Sequence, residues 1–490
     1  MREVDEPASA EHAILDTPEA GRRIVRGGVL RVAGYVAGSL LSVIGAALLT
    51  RHLGVADFGR YSAVFSLMTI LLGLTDSGTV ALGVREHALR DREGGRRFLG
   101  ALLGLRLVMG VAGVAVGLLV CVIAGYDGQM VLGALLAGVG LVVFIVWGTV
   151  QVPLQSMLRL GWVTALELVR QVATVALLVA GVLVGAGIAP LLGITLPVGV
   201  LLLVVTWPVV RGRATLRPTW RAAEWRPLLA VTLPFATAAA VGIVYAHISV
   251  LLMSVASTER ETGLFGAAFR VYFVMASVPG LLVSTALPVL ARAARDDRER
   301  LHYAVQRLFE ACLVAGAGVA LLTALGAPAI IEVVAGSGYD GSVGALRIMS
   351  LAMLGTFLIA LGSYGLLSTH RYRALLLANA AGLMLSAGLT LALAPSHGAR
   401  GAAIAVASGD LFLAVVQLVA LGRAGGVRVG LRNVPLVAMA AALGAGLALL
   451  TGLPSVPAAA IGVAVFAAAA MLSGAVPREV LVALRRGPVA

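Results

Sequence analysis

The sequence contains no lysine and few acids: 24 Asp and Glu stand against 37 basic residues, every one of them Arg, in 490 positions. Charged residues make up 12% of the chain, about half the share typical of soluble domains. Hydrophobic residues make up 60%, and mean hydropathy is +0.99. Such a composition excludes a mainly soluble protein and describes an integral membrane one. Without lysine there can be no glycine-rich phosphate loop ending in Lys-Ser or Lys-Thr, so ATP hydrolysis within the chain is not expected. Only two cysteines occur, Cys121 and Cys312, both inside apolar runs. They indicate neither a disulfide framework nor a metal site, and buried small hydrophobes are the default reading. The first 26 residues have no basic start, short apolar stretch or small-residue cleavage site, so a cleavable signal peptide is not expected either. No connection between apolar runs is long enough for a catalytic domain, which argues against an enzyme.

What remains is a succession of apolar runs. Crossing the hydrocarbon core takes roughly 20 helical residues. By that measure runs lie near 28–50, 59–84, 98–124, 129–153, 161–186, 188–210 and 228–254. They continue at 262–290, 303–327, 342–367, 374–394, 399–422, 433–452 and 456–475. This is an all-α polytopic membrane protein with about fourteen transmembrane helices. A net charge of +13 would suggest nucleic acid in a soluble chain, but here the arginines sit in alternate connections. Arg85–Arg97, Arg159, Arg211–Arg226, Arg292–Arg307, Arg371–Arg373 and Arg423–Arg432 mark one side, while the other side carries only Arg51, Arg60, Arg260 and Arg400. Arginine-rich connections belong to the cytoplasmic side. The expected location is the cytoplasmic membrane, with both termini in the cytoplasm and membrane lipids, not nucleic acid, as surroundings.

An internal repeat groups the runs. Phe58-Gly59-Arg60-Tyr61-Ser62-Ala63-Val64-Phe65 matches Thr262-Gly263-Leu264-Phe265-Gly266-Ala267-Ala268-Phe269 at the Gly, the aromatic two residues on, an Ala and the last Phe. Six crossings separate the copies, so both point the same way, as in transporters built from parallel repeats. The expected organisation is a tail at 1–26, a six-helix lobe at 27–210 and a basic loop at 211–227. A second six-helix lobe follows at 228–422, then two helices within 423–476 and a cytoplasmic tail at 477–490. The last two helices are poor in polar residues and should lie against lipid or one lobe.

Charges in the middle of a membrane helix are costly and face a partner or a cavity. Arg270 stands eight residues into its run, beyond easy snorkelling; it either binds an anion in a cavity or partners an acid or a helix end. Arg31 either snorkels to headgroups or faces the same cavity. Arg106 is similarly deep from the other side, and Glu167 and Arg170 can pair on one helix face; for these a structural role leads. Asp410, near the middle of its run, is a candidate proton or cation site or an arginine partner, while Asp76 and Glu310 sit near cytoplasmic ends. Arg51, His52, Asp57 and Arg60 cluster at the outer turn of the first hairpin, as solvated interface charges or as an outer gate. Pro234, Pro279 and Pro288 can kink the seventh and eighth helices.

The run Leu49-Thr50-Arg51-His52-Leu53-Gly54-Val55-Ala56-Asp57-Phe58-Gly59-Arg60-Tyr61 resembles the first-hairpin signature of the polysaccharide transporter (O-antigen flippase) family. Asp76-Ser77-Gly78 with Arg85-Glu86, Leu233-Pro234-Phe235, Gly263–Arg270 and Leu287-Pro288 resemble its second, seventh and eighth helices. The family belongs to a group that also holds multidrug exporters (MATE) and peptidoglycan-precursor flippases. The resemblance implies two parallel MATE-like lobes around a central cavity and alternating access. The implied substrate is a polyprenyl-diphosphate-linked oligosaccharide for exopolysaccharide, capsule or cell-wall glycan, with glycosyltransferases and a polymerase as pathway partners. It further implies cavity arginines on the first, second and eighth helices, where this chain has Arg31, Arg60 and Arg270; Arg106 is a fourth candidate. Asp410 and Glu167 are candidates for coupling to a proton or sodium gradient or the membrane potential, with no cofactor and no metal. One departure stands out: an acid common late in the family's seventh helix is replaced by His247-Ile248-Ser249. The alternatives are a MATE-type drug exporter, which should present acids to its cavity, and a lipid II flippase.

Overall fold

The structure is a computed structural model that describes residues 18–76, 78–157, 159–284, 298–425 and 429–476. Side chains in the first helix are described from Leu41 onward and at Gly38. The described elements are all helical: α1 Pro18–Asp76, α2 Thr79–Ala88, α3 Arg92–Ile123, α4 Gly128–Val150, α5 Val152–Ser156, α6 Leu160–Leu183, α7 Ile188–Gly193 and α8 Thr195–Val210. The second half comprises α9 Ala222–Ala256, α10 Glu259–Ser284, α11 Arg298–Val334, α12 Asp340–Ser368, α13 Tyr372–Gly425, α14 Asn433–Leu450 and α15 Ser455–Leu472.

Twelve helical stretches among the described residues are long and apolar enough to cross a membrane. Two are double-length, Leu41–Ala88 and Tyr372–Arg423. At ~1.5 Å per residue either would far exceed the hydrocarbon thickness if straight. Neither is straight. Gly54 interrupts α1 at φ 71° and ψ 179°, and Gly398 interrupts α13 at φ 53° and ψ −135°. Only glycine adopts such conformations without strain. After Gly398 the chain doubles back: Gln417 donates to Asn379 Oδ1 at 3.1 Å, and Gly382 faces Leu413. Each double-length helix therefore supplies two crossings, and the twelve stretches carry fourteen. The chain is a multi-pass membrane protein. We call the end of the bundle holding Gly54 and Gly398 the turn end.

Differences from the sequence reading are local. α1 is described from Pro18, so helix already covers positions ahead of the expected start at 27. The second apolar run is broken near Gly78, whose φ of 73° lets α1 end at Asp76 and α2 start at Thr79. The division between the fifth and sixth runs falls at Gly185, φ 71°. Pro279 lies within α10; Pro288 and the side chain of Pro234 lie outside the described residues.

Small residues set the spacing of the bundle. At Gly355 of α12 an added Cβ would come within 2.9 Å of the Asp410 backbone, so α12 and the second half of α13 meet nearly backbone to backbone. α14 and α15 are joined where a Cβ on Gly444 would lie 2.5 Å from the Gly462 carbonyl oxygen, and Phe466 of α15 rests on Gly318 of α11. The last two helices thus pack against α11. Replacing Gly355 with Val should separate α12 from α13 at a cost on the order of 1–3 kcal/mol. Thermal unfolding of the solubilised protein checks this: Gly355→Val should lower the midpoint, while Gly388→Ala, which faces open space, should not.

Candidate functional site

Arg270 lies on the third turn of α10, half-buried against both halves of α1. Its Nη2 donates to Ser42 Oγ at 3.1 Å, and its Cζ stands 5.5 Å from the centre of the Phe65 ring. Ser42 precedes the Gly54 break and Phe65 follows it, so the guanidinium reaches both arms of the first hairpin. Aromatic rings surround this seam. Phe65 stacks on Tyr61 at 5.8 Å, and His247 of α9 lies 6.2 Å from Phe269 and 4.9 Å from Phe273. A guanidinium over an aromatic face is attracted by the ring quadrupole, but that does not neutralise its charge. Among the described residues Arg270 pairs with no carboxylate.

The other expected arginines are placed differently. Arg106, its side chain 2% exposed, forms an ion pair with Asp76 and donates to Thr149 Oγ1 at 2.9 Å. The break at Gly78 leaves Asp76 at a helix end, where Arg106 reaches it. Arg60, at the turn end, meets Glu259 at 2.7 Å, Asp57 at 3.3 Å and Asp127 at 3.4 Å, joining α1, the α3–α4 connection and the start of α10. Arg106 and Arg270 share no partner, and the side chain of Arg31 lies outside the described residues.

Both candidate coupling acids are partnered. Glu167 pairs with Arg170 and accepts from Gln171 Nε2 at 3.0 Å. Asp410 is 2% exposed and has no cation beside it among the described residues. Instead Tyr245 of α9 donates to its Oδ1, and Tyr272 of α10 and Thr356 of α12 donate to its Oδ2, the last at 2.9 Å. Sequence reasoning missed these hydroxyls. The available signal was that a tyrosine inside an apolar run needs a hydrogen-bond partner once buried. Two turns further along α13, Gln417 and Asn379 continue the polar contacts, with Asn379 Nδ2 donating to the Ala238 carbonyl at 3.3 Å.

The fourteen crossings form a multi-pass membrane bundle in which Arg270, among the described residues, meets no carboxylate. The polysaccharide biosynthesis protein family matches residues 48–344, more than half of the chain, and the chain belongs to that family. In fold it is similar to the lipid II flippase MurJ in an inward closed conformation, with a TM-score of 0.75 and 11% identity over 92% of this chain and 100% of that one. It is also similar to an inward-facing multidrug resistance MATE family transporter of the MOP superfamily, with a TM-score of 0.61 and 16% identity over 81% of this chain and 98% of that one. No curated protein matches it in sequence.

The Arg106–Asp76 pair carries a direct prediction. Arg106 is buried although the Asp76 side chain is 49% exposed, so removing the acid leaves a buried guanidinium uncompensated, whereas replacing both with apolar groups is nearly neutral. Asp76→Ala should therefore destabilise the solubilised protein by about 3 kcal/mol. The double variant Asp76→Ala/Arg106→Met should recover most of that loss in the same unfolding measurement.

Proposed function

We propose that this protein is a flippase that moves a polyprenyl-diphosphate-linked oligosaccharide across the cytoplasmic membrane by alternating access. The product serves exopolysaccharide, capsule or cell-wall glycan synthesis. One observation carries the reading: Arg60, Arg106 and Arg170 are each paired with a carboxylate, whereas Arg270 at the seam of the two halves meets none among the described residues. A guanidinium kept inside an apolar bundle without a fixed counter-ion is suited to a mobile anion, and its planar fork suits diphosphate oxygens. Ser42 positions it, and the partly buried rings of Phe65 and Tyr61 offer faces for apolar or sugar surfaces. Family membership, the lipid II flippase fold and the lack of room for a catalytic domain support a transporter rather than an enzyme.

In this reading two six-helix lobes, 27–210 and 228–422, rock about the seam, and the termini and arginine-rich connections face the cytoplasm. The turn end then faces outward. Asp410, ringed by three hydroxyl donors, is the site through which a proton or sodium gradient or the membrane potential acts. The glycosyltransferases and polymerase of the same pathway supply and consume the substrate. A drug exporter of cations fits less well, because the buried Asp410 is occupied by hydroxyls and the unpaired charge at the seam is positive.

Vesicles loaded with a labelled lipid-linked oligosaccharide test the proposal. Arg270→Ala should slow translocation at least about tenfold, the loss of a charge-assisted contact worth ~1.4 kcal/mol or more. Arg270→Lys should retain part of the rate, and Asp410→Asn should remove its dependence on an imposed gradient. Full activity in well-folded Arg270→Ala would contradict the assignment.

A further inference from the structure

The faces of α6 can be assigned one by one. Its exposed side chains, Trp162, Ala165, Val172, Ala176, Ala180 and Leu183, recur at helical spacing and form one apolar stripe, the side turned to lipid. A second face packs inside the first half, where Leu166 and Ala173 join Trp147 of α4 and Leu202 of α8. A third face meets α1: a Cβ on Gly38 would overlap the Gln171 amide, and one on Gly45 would touch Val175 at 3.6 Å.

At about 100° per residue, Glu167 and Thr174 point away from the lipid stripe, between the other two contacts. The Glu167 side chain is nevertheless 44% exposed and that of Arg170 34%. Open space therefore adjoins the pair inside the bundle. Charges at membrane depth that face such a space mark the route of a polar solute.

Arg170 donates from Nε to Glu167 Oε2 at 2.9 Å and from Nη2 to Oε1, and Gln171 Nε2 donates to Oε1 at 3.0 Å. Among the described residues Arg170 Nη1 meets no acceptor, and Oε2 accepts only once. The pair is neutral as a whole, so it does not compete with Arg270 for an anion. It presents donors and an acceptor side by side, the complement of a hydroxyl group, which both donates and accepts. Half-exposed ion pairs add little to stability, so holding the fold together does not account for this one.

Its position relates it to Arg270. Gly38 and Ser42 lie one turn apart on the same face of α1. Gln171 abuts the first, and Arg270 donates to the second at 3.1 Å. α6 runs beside α1 in the same direction, since Gly38 faces Gln171 and Gly45 faces Val175 and Leu178. Glu167, one turn before Gln171, thus lies about 12 Å along the bundle from the Arg270–Ser42 contact, on the side away from the turn end.

We propose that Glu167 and Arg170 form a sugar subsite that holds hydroxyl groups of the residues next to the diphosphate. This rests on the flippase reading above, in which Arg270 takes the diphosphate. The sugars extend from Arg270 along the α1–α6 seam, and Gln171 steadies the carboxylate by donating to it.

Equilibrium binding to the solubilised protein tests the subsite. The probes are a polyprenyl-diphosphate-linked disaccharide and the same polyprenyl diphosphate without sugar. The reference protein should bind the sugar-bearing lipid about tenfold more tightly, as expected for hydrogen bonds to charged groups. Glu167→Ala/Arg170→Ala should abolish that preference while its affinity for the sugarless lipid, which reports folding, stays unchanged. Arg170→Lys, which keeps the charge pair but not the planar fork, should lose part of the preference. A preference undiminished in the double variant, or equal weakening for both lipids, would overturn the subsite. Equal binding of both lipids by the reference protein would overturn it too, leaving the diphosphate reading intact. If the reference protein binds neither lipid, the flippase reading fails and the subsite falls with it.

Discussion

A guanidinium within an apolar bundle has to be matched by a counter-charge, and this chain has few acids with which to do so. Among the described residues six acids serve that task. Asp76 meets Arg106, Glu167 meets Arg170, Glu310 meets Arg307, and three acids converge on Arg60. Local backbone features follow from the same need. The glycine break after Asp76 brings that carboxylate to Arg106, and the cluster at Arg60 ties the first hairpin to the start of α10. Against this pattern of matched charges Arg270 meets, among the described residues, a hydroxyl and a ring face and no carboxylate.

Glycine supplies the second constraint. Gly54 and Gly398 reverse the chain where connections are shortest, while Gly59, Gly263 and Gly266 let the two halves meet at the turn end. Glu261 reinforces the second reversal by accepting from the Ala399 amide at 2.8 Å just after Gly398, capping the helix that begins there. The halves are joined at this end by backbone proximity, by the buried cluster of Leu49, Phe58, Leu264 and Phe265, and by a few directed polar contacts. Thr50 Oγ1 donates to the Val334 carbonyl at 2.9 Å, and Arg51 Nη2 donates to the Val333 carbonyl at 3.0 Å.

Much of the fold was legible because membrane crossing imposes a length on every apolar run. The crossings, the hairpin at Gly54 and the turn at Gly185 followed from that length and from glycine positions. The break at Gly78 was not foreseen, because Asp76-Ser77-Gly78 sits inside a run whose hydropathy never falls far enough to mark an end. The site was legible only in part. Arg270 stood out by depth, but depth alone could not say which arginines have partners. Asp76 and Arg106 are 30 residues apart in sequence and no periodicity links them. The hydroxyls around Asp410 come from α9, α10 and α12, and a linear pattern does not show which helices face one another.

The central claim is that Arg270 is kept unpaired in order to hold a diphosphate. Its most direct test is equilibrium binding of a polyprenyl diphosphate without sugar to the solubilised protein, compared with the corresponding neutral polyprenol. The account predicts that the diphosphate binds, that the polyprenol binds far more weakly, and that Arg270→Gln brings the diphosphate close to the polyprenol. Undiminished diphosphate binding by a folded Arg270→Gln variant would contradict it.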